Sequence, residues 1–211
     1  MPDKNWRRAN TALLIVIVLI NCYVMALPLL PSVSFWLQNR NGSTEKALVE
    51  RLTKPNLTQD APSTPDVFHS DASHDGLIIP KMLLDTPLIE GPKKDSYRLL
   101  NAGAWRIPFG STPDKGGNTV IAGHRFSYTG PRGVFYFLSK LEPGDDIGLW
   151  YQGKLYRYTV ASSRTHAATD TYVQEPTDDT RLTLYTCTPL WNPVSRLVVV
   201  AKPIPNTEES L

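Results

Sequence analysis

The chain has 211 residues, 41% of them hydrophobic and 20% charged, which suits one globular domain with appendages. A formal net charge of +2 gives no case for a nucleic-acid or acidic partner. Eighteen prolines against thirteen glycines argue for many turns and little long helix in the main body.

Residues 1–10 are polar and carry Lys4, Arg7 and Arg8. Residues 11–30 form an uncharged apolar run, long enough to cross a bilayer as one helix. No charge occurs between Arg8 and Arg40, and residues 31–50 balance Arg40 and Lys46 against Glu45 and Glu50. The excess of cations before the run places residues 1–10 in the cytoplasm and the bulk of the chain outside a cell membrane, crossed once. Trp6 and Trp36 sit where interfacial aromatics are expected. A cleaved signal peptide, with Val24-Met-Ala26 as its site, is the competing reading. The apolar run continues through that site to Leu30, which favours an uncleaved anchor. A lipoprotein signal would use Cys22, but Asn21 stands where a small residue is wanted.

Residues 31–75 read as an extracellular tether, with one short helix around 44–52 and the least periodicity over 54–65. His69 and His74 fall in it and are expected to be solvated. The folded domain is expected to run from 76 to 204, with a tail at 205–211. Short strands are expected at 76–85 and 86–90, and a short helix or irregular segment over 97–105. A Gly- and Pro-rich loop at 107–118 leads to a buried strand at 119–122, which ends in Gly123-His124-Arg125. Residues 134–141 suggest a helical turn. Residues 146–151 and 154–161 flank Gln152-Gly153 as a hairpin. Residues 165–180 read as a polar loop with one short strand near Tyr172-Val173. Residues 181–201 read as two strands around a break at Pro189 and Pro193. Many short strands and little helix predict an all-β fold, a closed or nearly closed barrel with short helices, plus one transmembrane helix.

If Cys22 lies in a membrane it cannot pair with Cys187, which leaves Cys187 as the lone cysteine of the folded part. It is either a buried small hydrophobe or a nucleophile. In a terminal hairpin, Cys187 at the end of one strand faces Arg196 at the start of the next. Arg196 supplies a permanent charge and a planar fork of donors for a thiolate or an oxyanion. Of the four histidines, His124 alone follows an apolar strand and a glycine; His166 reads as a loop residue. The plain alternatives are a surface Arg196, a turn-capping His124 and an inert Cys187 in a tethered barrel that binds a wall polymer.

Thr183-Leu-Tyr-Thr-Cys187 resembles the TLxTC signature of the sortases. Ser195-Arg-Leu-Val-Val199 is similar to that family's active-site arginine segment, and Asn118 to Arg125 to its histidine segment. Ile79-Pro-Lys through Gly91, and Leu141-Glu-Pro-Gly-Asp145, match further pieces in the same order, so the likeness covers about 76–204. It implies an eight-stranded barrel and a membrane-anchored cysteine transpeptidase without a cofactor. By this resemblance Cys187 attacks an LPXTG-like sorting signal and forms an acyl-thioester. His124 moves the proton of the leaving and incoming amines, Arg196 holds the substrate and its oxyanion, and Thr186 contacts substrate through its backbone or hydroxyl. The acceptor would be the amine of a cell-wall precursor or a pilin lysine, and the 163–180 loop would shape substrate choice. The tether lacks the Asp-Pro-aromatic lid tripeptide of pilin-polymerising class C, and the tail is polar, which points to a single-anchor class A, D or E type. No acidic cluster suggests a metal; Asp114, Asp178 and Asp179 are expected to be solvated. The L,D-transpeptidase alternative needs a Ser-His-Gly-type segment before its cysteine and a closer arginine, and neither is present here.

Overall fold

A computed structural model describes residues 4–27, 29–54, 68–126, 132–190 and 192–205. The chain divides into two compact units, Met1–Arg40 and Asn41–Leu211.

In the first unit, helix α1 spans Lys4–Ala26 and helix α2 spans Leu30–Asn39. The apolar side chains from Leu13 to Ile20 are all exposed, and Asn5–Ala26 is long and apolar enough to cross a membrane. Its polar members turn inward along the backbone: Thr11 Oγ1 donates to Arg7 O at 2.9 Å and Asn21 Nδ2 to Ile17 O at 2.8 Å. Pro31 occupies the first turn of α2, where a missing N–H costs nothing. Leu30, Val33, Trp36 and Leu37 share one exposed arc of α2, and the Arg40 guanidinium lies 6.0 Å from the centroid of the Trp36 ring.

In the second unit, helix α3 spans Ser43–Thr53, and it is packed rather than loose. This corrects the tether expectation for its N-terminal part. Leu48 and Leu52, one turn apart, bury themselves against Ile78, with Trp150 and Leu155 at the edge of the cluster. Arg51 Nη1 donates to Asp85 Oδ2 at 2.6 Å and its Nη2 to Ser70 O at 2.7 Å. Asp85 also accepts from the Ser70 backbone N–H at 3.1 Å and from its hydroxyl. His69 Nδ1 stands 3.5 Å from the same carboxylate. Most of the least periodic stretch, 55–67, lies outside the described residues.

The barrel has the eight strands that the resemblance implies: β1 Gly76–Ile79, β2 Leu84–Ile89, β3 Ala104–Arg106, β4 Asn118–Ala122, β5 Asp146–Tyr151, β6 Lys154–Ala167, β7 Arg181–Thr188 and β8 Ser195–Pro203; β3 lies at the end of the segment expected to be a short helix or irregular. They close in the order β1-β2-β3-β4-β7-β8-β6-β5. The β2–β3 and β4–β7 pairs are parallel and the others antiparallel. Leu77, Ile79, Ile121, Leu149, Leu184 and Val199 have no exposed surface. A second apolar cluster forms under helix α4, Ser96–Ala102, where Leu99 packs with Trp105, Ile107, Val120 and Ala122, and Tyr185 closes its edge.

Three expectations in the second half of the barrel change. Strand β6 runs on to Ala167 through Ser162 and Arg164, with a register shift between Val160 and Ser162. Its alternate side chains face solvent, so polar residues are compatible with pairing there. His166 is therefore a strand residue. Tyr172-Val173 lies in a 3₁₀ turn, Thr171–Gln174, not in a strand. Asp179, expected to be solvated, joins Arg181 to Lys202 and so ties the start of β7 to the end of β8. Those two cations hold its carboxyl well below the usual range.

Candidate active site

Strand pairing brings Cys187 and Arg196 to one end of the sheet, and His124 follows the end of the neighbouring strand β4. Cys187 on β7 pairs with Arg196 on β8. On the other side of β7, the parallel ladder with β4 ends at Ala122 opposite Tyr185, and the Gly123 N–H still donates to Tyr185 O at 3.2 Å. Carried on two residues beyond Ala122, that register would set His124 level with Cys187. On β6, His166 pairs with Arg196. One row thus crosses four neighbouring segments: His124, Cys187, Arg196, His166.

Alternation puts Tyr185 and Cys187 on the same face of β7. The Tyr185 phenol is pushed up by burial; the nearby Arg196 cation opposes this and Cys187 adds to it. Cys187 is a free thiol, partly exposed. The Arg196 guanidinium donates through Nη1 to Ser195 O at 3.0 Å and Pro193 O at 3.3 Å, carbonyls of its own loop.

His124 is half-buried. Phe135 N donates to its carbonyl at 2.9 Å, and a Cβ on Gly133 would lie 2.2 Å from that same oxygen, so only glycine lets the 132–135 segment approach. The Tyr97 ring on α4 stands edge-on to the imidazole, centroids 6.2 Å apart. Burial lowers the imidazole pKa below its ordinary 6.5. We expect the His124 ring, followed by NMR in Cys187→Ala protein, to titrate with a midpoint below 6.5; a midpoint at or above 6.5 contradicts it. The neutral ring is the form favoured by the fold. Stability from this residue is therefore complete above pH 6.5 and is lost as pH falls toward the folded-state value.

Of the two contacts expected for Thr186, by backbone or hydroxyl, the geometry leaves the backbone. Its side chain is on the opposite face from Cys187, the residue is 1% exposed, and its hydroxyl donates to Gly123 O at 2.8 Å. The hydroxyl is committed to the framework, which leaves only the backbone to meet a substrate.

The family model described as Sortase domain matches residues 77–204. The chain belongs to the sortase family. It is a cysteine transpeptidase on the closed, mixed eight-stranded barrel of that family. Among solved structures, sortase E1 from Streptomyces coelicolor, holding a tripeptide in its active site, is 28% identical at a TM-score of 0.54, covering 63% of this chain and 88% of its own. The sortase D5 transpeptidase of Clostridium perfringens is 26% identical at 0.54, covering 78% and 100%. Sortase C1 of Streptococcus agalactiae is 26% identical at 0.54, covering 63% and 69%. The likeness thus spans classes without selecting one. No curated protein matches the chain.

Around the sortase row lie residues to which the sequence assigned no role. Arg125 Nη1 donates to Thr188 Oγ1 at 2.5 Å. Asn118, 2% exposed at the start of β4, donates through Nδ2 to Glu175 O at 2.9 Å and Val173 O at 3.2 Å, and accepts from Thr183 Oγ1 at 2.6 Å. It fastens the β6–β7 connection across the outside of the sheet. At the other end of that connection, the Tyr172 hydroxyl and His166 Nδ1 share a hydrogen bond at 2.7 Å, and Asp170 Oδ2 accepts from the Ala167 N–H at 3.2 Å. Asn118 and Arg125 bound the histidine segment, which is the linear signal for those two; the bonds themselves leave none.

Proposed function

We propose that this sortase cleaves an LPXTG-like sorting signal and joins the freed carboxyl end to an amine of a cell-wall precursor or a pilin lysine. The Cys187 thiolate attacks the threonine carbonyl, and Arg196 turns from its loop carbonyls to the developing oxyanion. The threonine–glycine C–N bond breaks as His124, in its less populated imidazolium form, passes its proton to the leaving amine, which leaves a thioester on Cys187. His124 then takes a proton from the incoming amine, whose nitrogen displaces the thiolate. The observation that supports this best is the pairing of Cys187 with Arg196 at a sheet end, with His124 two residues past the end of β4, the strand that pairs with β7 on its other side.

We read residues 11–30 as the core of a membrane anchor with residues 1–10 cytoplasmic and the second unit outside. The apolar stretch Asn5–Ala26 and the cations before it support this. The tether sequence supports a single-anchor class, since it has no Asp-Pro-aromatic tripeptide. The test is the full chain in detergent, given an LPXTG-type peptide and excess amine and read by intact mass. A peptide adduct on Cys187 and an amine-exchanged product are expected. A reactive thiol with no adduct from any peptide of a sorting-motif library would overturn the substrate reading.

A further inference from the structure

We infer that Arg125 and Thr188 are positioning residues that hold His124 at reacting distance from Cys187. The inference rests on the assignment of those two as imidazole and nucleophile. His124 lies beyond the last paired residue of β4, where a ladder end would fray. Acyl transfer does not tolerate such play, since an error of about 1 Å in placement costs on the order of 100-fold in rate. Two side-chain ties remove it. Cys187 is flanked by threonines, and both reach the segment that carries the imidazole. Thr186 bonds Gly123, the residue before His124, and Thr188 bonds Arg125, the residue after it. The pair is therefore bracketed one residue on each side. Both threonines point away from Cys187's face of β7, so the ties lie behind the reactive face and leave it open.

The outer tie needs arginine. Residue 125 follows the end of β4, so it must reach sideways to β7 and still present a donor to a neutral hydroxyl. A guanidinium does this with a rigid fork that stays charged at any working pH, whereas an ammonium is a hydrated point charge on a flexible stem. Thr188 is the last residue of β7 before the 189–194 loop, so the same bond also fixes the strand end on which Cys187 sits.

The test compares Thr188→Val, Arg125→Met, their double variant and Thr188→Ser in the full chain in detergent. Peptide–amine exchange gives kcat and KM, and the rate of the Cys187 adduct is read by mass. Thr188→Val and Arg125→Met are each expected to lower kcat and the adduct rate about 10- to 100-fold, with KM for the peptide within twofold. The double variant should be no worse than the worse single, because both remove one link. Thr188→Ser keeps the hydroxyl and should restore wild-type kcat, which separates the bond from any loss of fold. Thr188→Val with kcat within twofold of wild type, or a double variant with multiplied losses, overturns the inference. A wild-type chain that forms no Cys187 adduct instead overturns the site assignment beneath it.

Discussion

Replacing Cys187 with alanine is expected to abolish the peptide adduct and to lower amine exchange by on the order of 10⁴-fold or more. The thioester requires a sulfur, and among the described residues the other free cysteine, Cys22, lies in α1 within the apolar stretch. The substitution should cost little fold, because the thiol is partly exposed at a strand end and alanine fits the same backbone. Thermal melting measured beside the exchange assay decides the matter. Lost activity with an unchanged melt supports the nucleophile, while retained exchange removes Cys187 from the mechanism. Arg196→Lys adds a second reading of the same row. It keeps the charge beside Cys187 and loses the planar fork, so a large fall in kcat would locate the contribution of Arg196 in the fork.

Asn118→Ala is expected to destabilise the second unit by about 3 kcal/mol. One side chain satisfies three buried or half-buried partners, and its loss leaves Thr183 without its acceptor and two loop carbonyls without a donor. For a unit of this size that corresponds to a fall of roughly 6–12 °C in melting temperature. The β6–β7 connection should loosen in the same variant, and the sequence reading gives that connection the choice of substrate. Calorimetry should show the stability loss, and peptide competition should show a KM that rises more than kcat falls. An unchanged melt would mean that the connection is held elsewhere, for instance by the His166–Tyr172 pair.

The barrel was legible because its strands are short and apolar, and their breaks fall at proline and glycine. The row of His124, Cys187 and Arg196 was legible because each sits in a short linear motif. What escaped has a common cause. Arg125 and Thr188 are 63 positions apart, and Asn118 and Glu175 are 57 apart, so neither bond leaves a local pattern. The far end of β6 was hidden by polar side chains on a face that meets water. Helix α3 was visible as a helix, but not as part of the folded unit, because two leucines one turn apart do not reveal what they pack against.

Helix α3 also decides where a soluble form of the enzyme can begin. A fragment starting at Gly76 would keep every strand, yet it would uncover the hollow at Gly148, where a Cβ would lie 2.2 Å from Leu52 Cδ2 and so glycine alone leaves room for that leucine. Ile78, Trp150 and Leu155 would become a wet apolar patch on the barrel wall, and Asp85 would lose the guanidinium that neutralises it. Such a shortened protein would offer a sticky surface to its own copies and draw a detergent requirement that has nothing to do with membranes. Truncation before Asn41 keeps that wall covered.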